Sequence, residues 1–136
     1  MSEKSATILL IDDDVDFVRA TKKVLESRAD YRVIVAYNGR DGLKRAHQEK
    51  PDIILLDIIM PTEDGFTVCE KLRQDPECAD TPVLMLTSFS DRYAETSIPV
   101  SRGYALEADD YISKPIRPEE LCRRIDQQLK KRRQTT

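Results

Sequence analysis

Residues 53–61 read Ile53-Ile54-Leu55-Leu56-Asp57-Ile58-Ile59-Met60-Pro61. Four aliphatic residues run directly into one carboxylate, and Pro51 and Pro61 punctuate the two boundaries. A continuous apolar run this short, rich in β-branched side chains, is the pattern of a strand buried on both faces. Asp57 therefore stands where a buried strand runs out, at the rim of the sheet. In open α/β sheets that rim is where ligands bind. A carboxylate in such a place is either a turn-former or a chemical group, and the remainder of the chain decides which.

Upstream, Thr7 to Ile11 repeats the design: an apolar run that ends in Asp12-Asp13-Asp14. Asp14 is suited to cap a following helix, which the spacing of Phe17, Val18, Thr21, Val24 and Leu25 carries to about Ala29. Tyr31 to Tyr37 is rich in Val, Ile and Tyr and predicts a second strand. Asn38-Gly39 makes a turn, and Asn38 caps a helix to about Lys50 with Leu43 and Ala46 inward. Downstream, Thr62 to Gly65 is a loop. Asp64 caps a helix from Gly65 to Gln74 that buries Phe66, Cys69 and Leu72. Asp75 to Pro82 is expected to be polar loop, and Val83 to Leu86 a fourth strand ending in Thr87-Ser88. Phe89 to Glu107 is expected to be helical but is interrupted by Pro99 and Gly103. Asp110 to Ser113 is a fifth strand, followed by Lys114-Pro115. Pro118-Glu119-Glu120 opens a last helix, with Leu121, Ile125 and Leu129 on its buried face and Lys130 to Arg133 at its basic end. Five strands alternating with five helices predict right-handed crossovers and a parallel sheet covered on both faces. One domain is expected over residues 1–136, with its core at about 5–130 and a basic, polar tail at 131–136.

Composition narrows the function. The chain is 40% hydrophobic and 35% charged, which is globular and not disordered. Its net charge of −3 offers no strong basic field for nucleic acid, and Lys130 to Arg133 reads as a solvated helix end. No apolar run approaches membrane-spanning length, so a soluble, cytoplasmic protein is expected. Cys69, Cys78 and Cys122 show no metal-ligand spacing and read as reduced thiols. His47, the only histidine, stands in a charged helical segment and reads as a surface residue.

In a parallel sheet the C-terminal ends of all strands share one edge. This chain brings to that edge Asp12 and Asp13, Asp57, Thr87 and Lys114. Clustered carboxylates repel and call for a cation. Few, hard oxygen ligands suit Mg²⁺ completed by water and a phosphate oxygen. A hydroxyl and an ammonium could hold the remaining oxygens of a phosphoryl group, whose transfer needs mainly positioning and charge neutralisation. Asp57 would be the nucleophile.

Four motifs then coincide: Ile8-Leu9-Leu10-Ile11-Asp12-Asp13-Asp14; Asp57-Ile58-Ile59-Met60-Pro61 with Asp64-Gly65; Thr87-Ser88; and Asp110-Tyr111-Ile112-Ser113-Lys114-Pro115. Over about residues 5–130 the chain resembles a response-regulator receiver domain of two-component signalling. The resemblance implies a flavodoxin-like, doubly wound (βα)5 fold with strand order 2-1-3-4-5 and a site at the switch point between strands one and three. It implies that Asp57 accepts a phosphoryl group from a phosphohistidine on a sensor histidine kinase or histidine phosphotransfer protein. It implies Mg²⁺ held by Asp13, by Asp12 through water, by Asp57 and by the backbone carbonyl of Ile59. Lys114 would pair with phosphate oxygens, the Lys114–Pro115 bond would be cis, and Thr87 and Tyr111 would form the switch. The protein would catalyse only its own phosphorylation and dephosphorylation. With no effector domain fitting after Lys130, the output is expected to be contact with an unknown partner protein, or the chain is a fragment of a longer regulator.

Other readings were open at this point. Asp12-x-Asp14-x-Asp16 begins like a calcium loop, but Phe17 replaces the required Gly and Lys23 the closing Glu. Asp12-x-Asp14-Val15 resembles the first motif of haloacid-dehalogenase-type phosphatases, with Asp12 as nucleophile and Asp14 as acid. That family places its late acidic pair after the Lys, whereas Asp109-Asp110 precede Lys114. One departure from the receiver pattern is the stretch between Thr87 and Lys114, longer than usual by about a helical turn around Pro99 and Gly103. A Gly usual before the fifth strand is replaced, at about Glu107. Ile59 and Phe89, both apolar, are expected to slow hydrolysis by giving an attacking water no hydrogen-bonding partner.

Overall fold

The computed structural model describes residues 6–28, 30–60, 63–87 and 108–135. The elements follow in the order β1 (Ala6–Ile11), α1 (Val15–Arg28), β2 (Tyr31–Ala36), α2 (Gly39–Glu49), β3 (Ile53–Asp57), α3 (Gly65–Gln74), β4 (Val83–Thr87), β5 (Asp110–Ser113) and α4 (Pro118–Thr135). All strand pairs are parallel, and the sheet order is β2-β1-β3-β4-β5. The doubly wound order expected from the sequence is thus the one observed. Four helices are present among the described residues. The expected helix over residues 89–107 lies outside them, as do Pro61, Thr62, Ser88, Phe89, Pro99, Gly103 and Glu107.

β3 is the middle strand, paired with β1 on one side and β4 on the other, and all five of its residues are buried. Its alternate side chains feed two separate cores. Ile54 and Leu56 join Leu9, Ile11, Phe66, Val68, Leu72 and Met85 under α2 and α3. Ile53 and Leu55 join Ile8, Leu10, Val18, Leu25, Leu84, Ile112, Leu121 and Ile125 under α1 and α4. Two-sided burial explains why the strand has no polar alternation, and truncating any of these side chains to Ala is expected to cost about 2–5 kcal/mol.

The starts of α1, α2 and α3 are set by the three side chains that the sequence singles out as caps. Asp14 Oδ1 accepts the Phe17 N–H at 3.1 Å, Asn38 Oδ1 the Asp41 N–H at 2.8 Å, and Asp64 Oδ1 the Thr67 N–H at 2.8 Å. Each satisfies a donor that the first helical turn leaves orphaned, an arrangement worth about 1 kcal/mol. At the far end of α2, Lys50 takes the left-handed conformation (φ 48°) and returns its N–H to Ala46 O at 3.0 Å.

Two boundaries differ from expectation. α4 continues to Thr135, past the expected end at Arg133. The segment from Asp75 to Pro82 is not wholly polar. It turns back on itself through Cys78 N–H to Asp75 O (2.9 Å) and Thr81 N–H to Cys78 O (3.0 Å), which buries Cys78 and Thr81 beneath it. Arg73 fixes this turn by donating to the carbonyls of Ala79 and Thr81, while it also pairs with Asp109, whose carboxylate accepts the Val83 N–H at 2.8 Å. His47 is exposed, as read from the sequence, and reaches Asp75 at 2.9 Å. Cys69 and Cys78 are buried, Cys122 is half-buried, and none of the three is in a disulfide. Among the described residues, no helix is long and apolar enough to cross a membrane.

Candidate functional site

Four strand ends, those of β1, β3, β4 and β5, converge at the C-terminal edge of the sheet. The ladder brings them level: Leu10 and Ile11 pair with Leu55 and Leu56, and Asp57 pairs with Leu86. Past the last pairs, Asp12 N–H still bonds Ala36 O (3.1 Å), Ile58 N–H bonds Leu86 O (2.9 Å) and Lys114 N–H bonds Thr87 O (2.7 Å). Strand alternation then sorts the side chains. Asp12, Asp57 and Lys114 continue the parity of Leu10, Leu55 and Ile112, which face α1 and α4. Thr87 and Tyr111 have the parity of Met85, on the opposite face, where Tyr111 packs half-buried against the core under α3.

Asp12 and Asp57 are buried, Thr87 is buried and Asp13 is exposed. One carboxylate oxygen from each of Asp12, Asp13 and Asp57 lies within 4.8 Å of the others. The Lys114 ammonium reaches into this group, 2.7 Å from Asp12 Oδ2 and 3.7 Å from Asp57 Oδ1. Its other side faces the Phe17 ring, 4.2 Å from the ring centroid. Asp12 Oδ1 accepts the Asp14 N–H at 2.9 Å, so both oxygens of Asp12 are engaged. The Lys114–Pro115 peptide is cis.

One ammonium faces three carboxylates, and the electrostatics show the imbalance. Burial pushes the Asp57 carboxyl up to about 7, the neighbouring Asp12 charge adds to the rise, and Lys114 opposes it. Burial also raises Asp12, against the hydrogen bonds from Lys114 and the Asp14 N–H. The cluster therefore has more buried negative charge than the protein compensates. A hard divalent cation fits this donor set: hard oxygens, few in number, one of them exposed so that water can complete the shell.

Downstream of Asp57 the chain must turn sharply into α3, and Gly65 is the closest approach. Its N–H bonds Ile58 O at 2.6 Å, and a Cβ there would lie 2.5 Å from Asp57 O and 2.8 Å from Ile58 Cα. Ile59 is half-buried in this turn, and its backbone N–H weakly opposes the rise of the Asp57 carboxyl.

Every described site residue named from the sequence thus falls on one rim. Asp12, Asp13, Asp57 and Lys114 form one cluster, with Thr87 at the adjacent strand end and Tyr111 two positions before Ser113, the ladder partner of Thr87. Asp14 stands apart, holding α1. Sequence reasoning missed two contributors. Phe17 was read only as a helix-face residue, although its place one turn after Asp13 puts it beside the rim. Arg124 was not singled out, yet it grips both oxygens of Asp110 at 2.6 Å and the Tyr111 carbonyl at 3.0 Å. Nothing in the local sequence marks that pair, because fourteen residues and a turn of chain separate the partners.

The family model described as "Response regulator receiver domain" matches residues 8–126. The chain is 40% identical over 118 residues to the alkaline phosphatase synthesis transcriptional regulatory protein PhoP of Bacillus subtilis, covering 87% of this chain and 46% of PhoP. It spans about half the length of the curated relatives it matches. Among solved structures, it superposes on a response regulator receiver domain protein (CheY-like) from Methanospirillum hungatei with a TM-score of 0.82 and 26% identity, covering 96% of this chain and 98% of that one. It superposes on the response regulator protein TrrA from Thermotoga maritima, solved in complex with Mg(2+)-BeF, with a TM-score of 0.75 and 26% identity over 89% of this chain and 96% of that one. These matches give the phosphatase reading of Asp12 and Asp14 no support. With the fold order, the acid–lysine rim and the family match agreeing, the chain belongs to the response regulator receiver domains of two-component signalling.

Proposed function

We propose that Asp57 is the phosphoryl acceptor of this receiver domain. The observation that carries this reading is the convergence of Asp12, Asp57 and Lys114 within one buried cluster, Lys114 lying 2.7 Å and 3.7 Å from the two carboxylates. An Asp57 carboxylate oxygen forms the new bond to phosphorus. The bond from phosphorus to the donor's imidazole nitrogen breaks, and its electron pair stays on that nitrogen. The donor is a phosphohistidine of a sensor histidine kinase or a histidine phosphotransfer protein. Lys114 takes phosphoryl oxygens, and Thr87, at the adjacent strand end, turns its hydroxyl over the sheet edge toward the same group on activation. Asp12, Asp13, Asp57 and the Ile59 carbonyl would hold Mg²⁺, a cation that the donor set fits and that the TrrA complex contains. Bound there, the ion neutralises carboxylate and phosphoryl charge together.

In this reading the protein is a switch, catalysing only its own phosphorylation and dephosphorylation. Thr87 and Tyr111, on the face opposite Asp57, transmit the change to a surface that contacts an output protein. The setting is soluble and cytoplasmic, and direct nucleic-acid binding forms no part of the proposal. Residues 1–136 act as one domain.

The test is incubation with phosphoramidate or acetyl phosphate and Mg²⁺, read by intact mass. One labile phosphoryl adduct is expected, absent from Asp57→Asn and absent when the metal is chelated. Undiminished adduct in Asp57→Asn would refute the assignment.

A further inference from the structure

We propose that Phe17 is a positioning residue for Lys114, its ring face holding the ammonium at the edge of the acidic cluster. This rests on the reading of Lys114 as the partner of phosphoryl oxygens. The Lys114 Nζ stands 4.2 Å from the Phe17 ring centroid, well inside the range of a cation–π contact. The lysine side chain is only 14% exposed, so water screens the contact little.

The ring's own position is fixed by the turn that carries the acids. Asp12 Oδ1 holds the Asp14 N–H at 2.9 Å, and Asp14 Oδ1 holds the Phe17 N–H at 3.1 Å. Asp12, Asp14 and Phe17 therefore hang on one short hydrogen-bonded chain, with the carboxylate and the ring presented to the same ammonium. Their chemistry differs in a useful way. An ammonium has three N–H donors, and each carboxylate contact takes one. A ring face attracts the whole charge and claims no particular donor. With Asp12 taking one N–H, the ring restrains the ammonium and leaves the rest for incoming oxygens. A second carboxylate in place of the ring would hold Lys114 as firmly but would compete for the same protons. If Phe17 were only a packing residue on α1, an aliphatic side chain of similar size would serve as well.

The experiment measures adduct formation from phosphoramidate with Mg²⁺, together with the NMR shift of the Lys114 Hε protons, which a ring face moves upfield. Phe17→Leu is expected to slow phosphorylation about fivefold, the factor that about 1 kcal/mol corresponds to, and to return the Hε protons to ordinary positions. Phe17→Tyr restores a ring face and is expected to keep the rate within about twofold and the Hε shift in place. In a Lys114→Ala background, Phe17→Leu is expected to make no further difference. The proposal is overturned if Phe17→Leu reacts at the wild-type rate, if Phe17→Tyr is as slow as Phe17→Leu, or if the fivefold loss persists without Lys114. A wild-type rate in Lys114→Ala would instead overturn the role of Lys114 on which the proposal stands, a failure recognisable because the Hε shift of Lys114 in the wild-type protein, and its loss in Phe17→Leu, would still report the contact.

Discussion

In metal-free buffer, Asp57→Asn is expected to make the protein more stable, and to do so chiefly above neutral pH. Asp57 is buried, and its carboxyl is raised from 3.8 to about 7 by burial and by the charge on Asp12, with Lys114 opposing. Below pH 3.8 the group is protonated in both folded and unfolded chains and contributes no penalty. Between 3.8 and about 7 the unfolded chain ionises while the native state holds its proton, so native stability falls by about 1.4 kcal/mol per pH unit. Above 7 both states are ionised and the loss is complete, at about 4 kcal/mol. Asn keeps the shape but has no charge to bury. Allowing about 1 kcal/mol for weaker hydrogen bonding, Asp57→Asn should gain about 3 kcal/mol at pH 8, or about 10 °C in Tm, and little by pH 5. Urea denaturation at the two pH values, in EDTA, measures the gap. Saturating Mg²⁺ should narrow it at pH 8 by binding the folded wild type. Equal or lower stability of Asp57→Asn at pH 8, or a gap of the same size at pH 5, would refute the claim that Asp57 is an uncompensated buried charge.

Gly65→Ala pushes a Cβ to within 2.5 Å of the Asp57 carbonyl, so it should cost about 2 kcal/mol and strongly reduce Asp57 phosphorylation. Denaturation and intact mass check both, and wild-type behaviour in the two assays would contradict the close packing. Arg124→Ala leaves the half-buried Asp110 without its two-pronged partner and should lower stability by about 1–2 kcal/mol in a thermal melt. Burial, with the Asp75 charge beside it, raises the Cys78 thiol to about 11, and Cys69 is buried, so native protein given iodoacetamide at pH 8 should be alkylated at Cys122 first, as peptide mass mapping would show.

Much of the site was legible because it depends on patterns that local sequence carries. Asp12, Asp57 and Thr87 each end an apolar run and Lys114 follows a short strand, and a parallel sheet puts all such ends on one edge. Asp14, Asn38 and Asp64 were legible for the same reason, since a cap acts within three residues of itself. What the sequence withheld is contact across the fold. Phe17 has the spacing of a core residue, and only the meeting of α1 with the end of β5 turns its ring into a seat for an ammonium. The turn after α3 looked polar because most of its residues are. Its buried Cys78 and Thr81 became interpretable only when Arg73 and Asp109 were seen closing over it. α4 outran its expected end because a basic run at a helix terminus is compatible with stopping there and equally with continuing.

The backbone bonds that run on past the last paired residues have a mechanical consequence. Ile58 N–H is tied to Leu86 O and Lys114 N–H to Thr87 O, so the bases of Asp57, Thr87 and Lys114 belong to one continuous frame. Sliding β3 or β4 by one residue would exchange the side chains of its two buried cores and break the packing of both, so the frame cannot shear in small steps. A group added at Asp57 therefore meets fixed anchor points. Whatever it changes must first be expressed as rotation of side chains about those points.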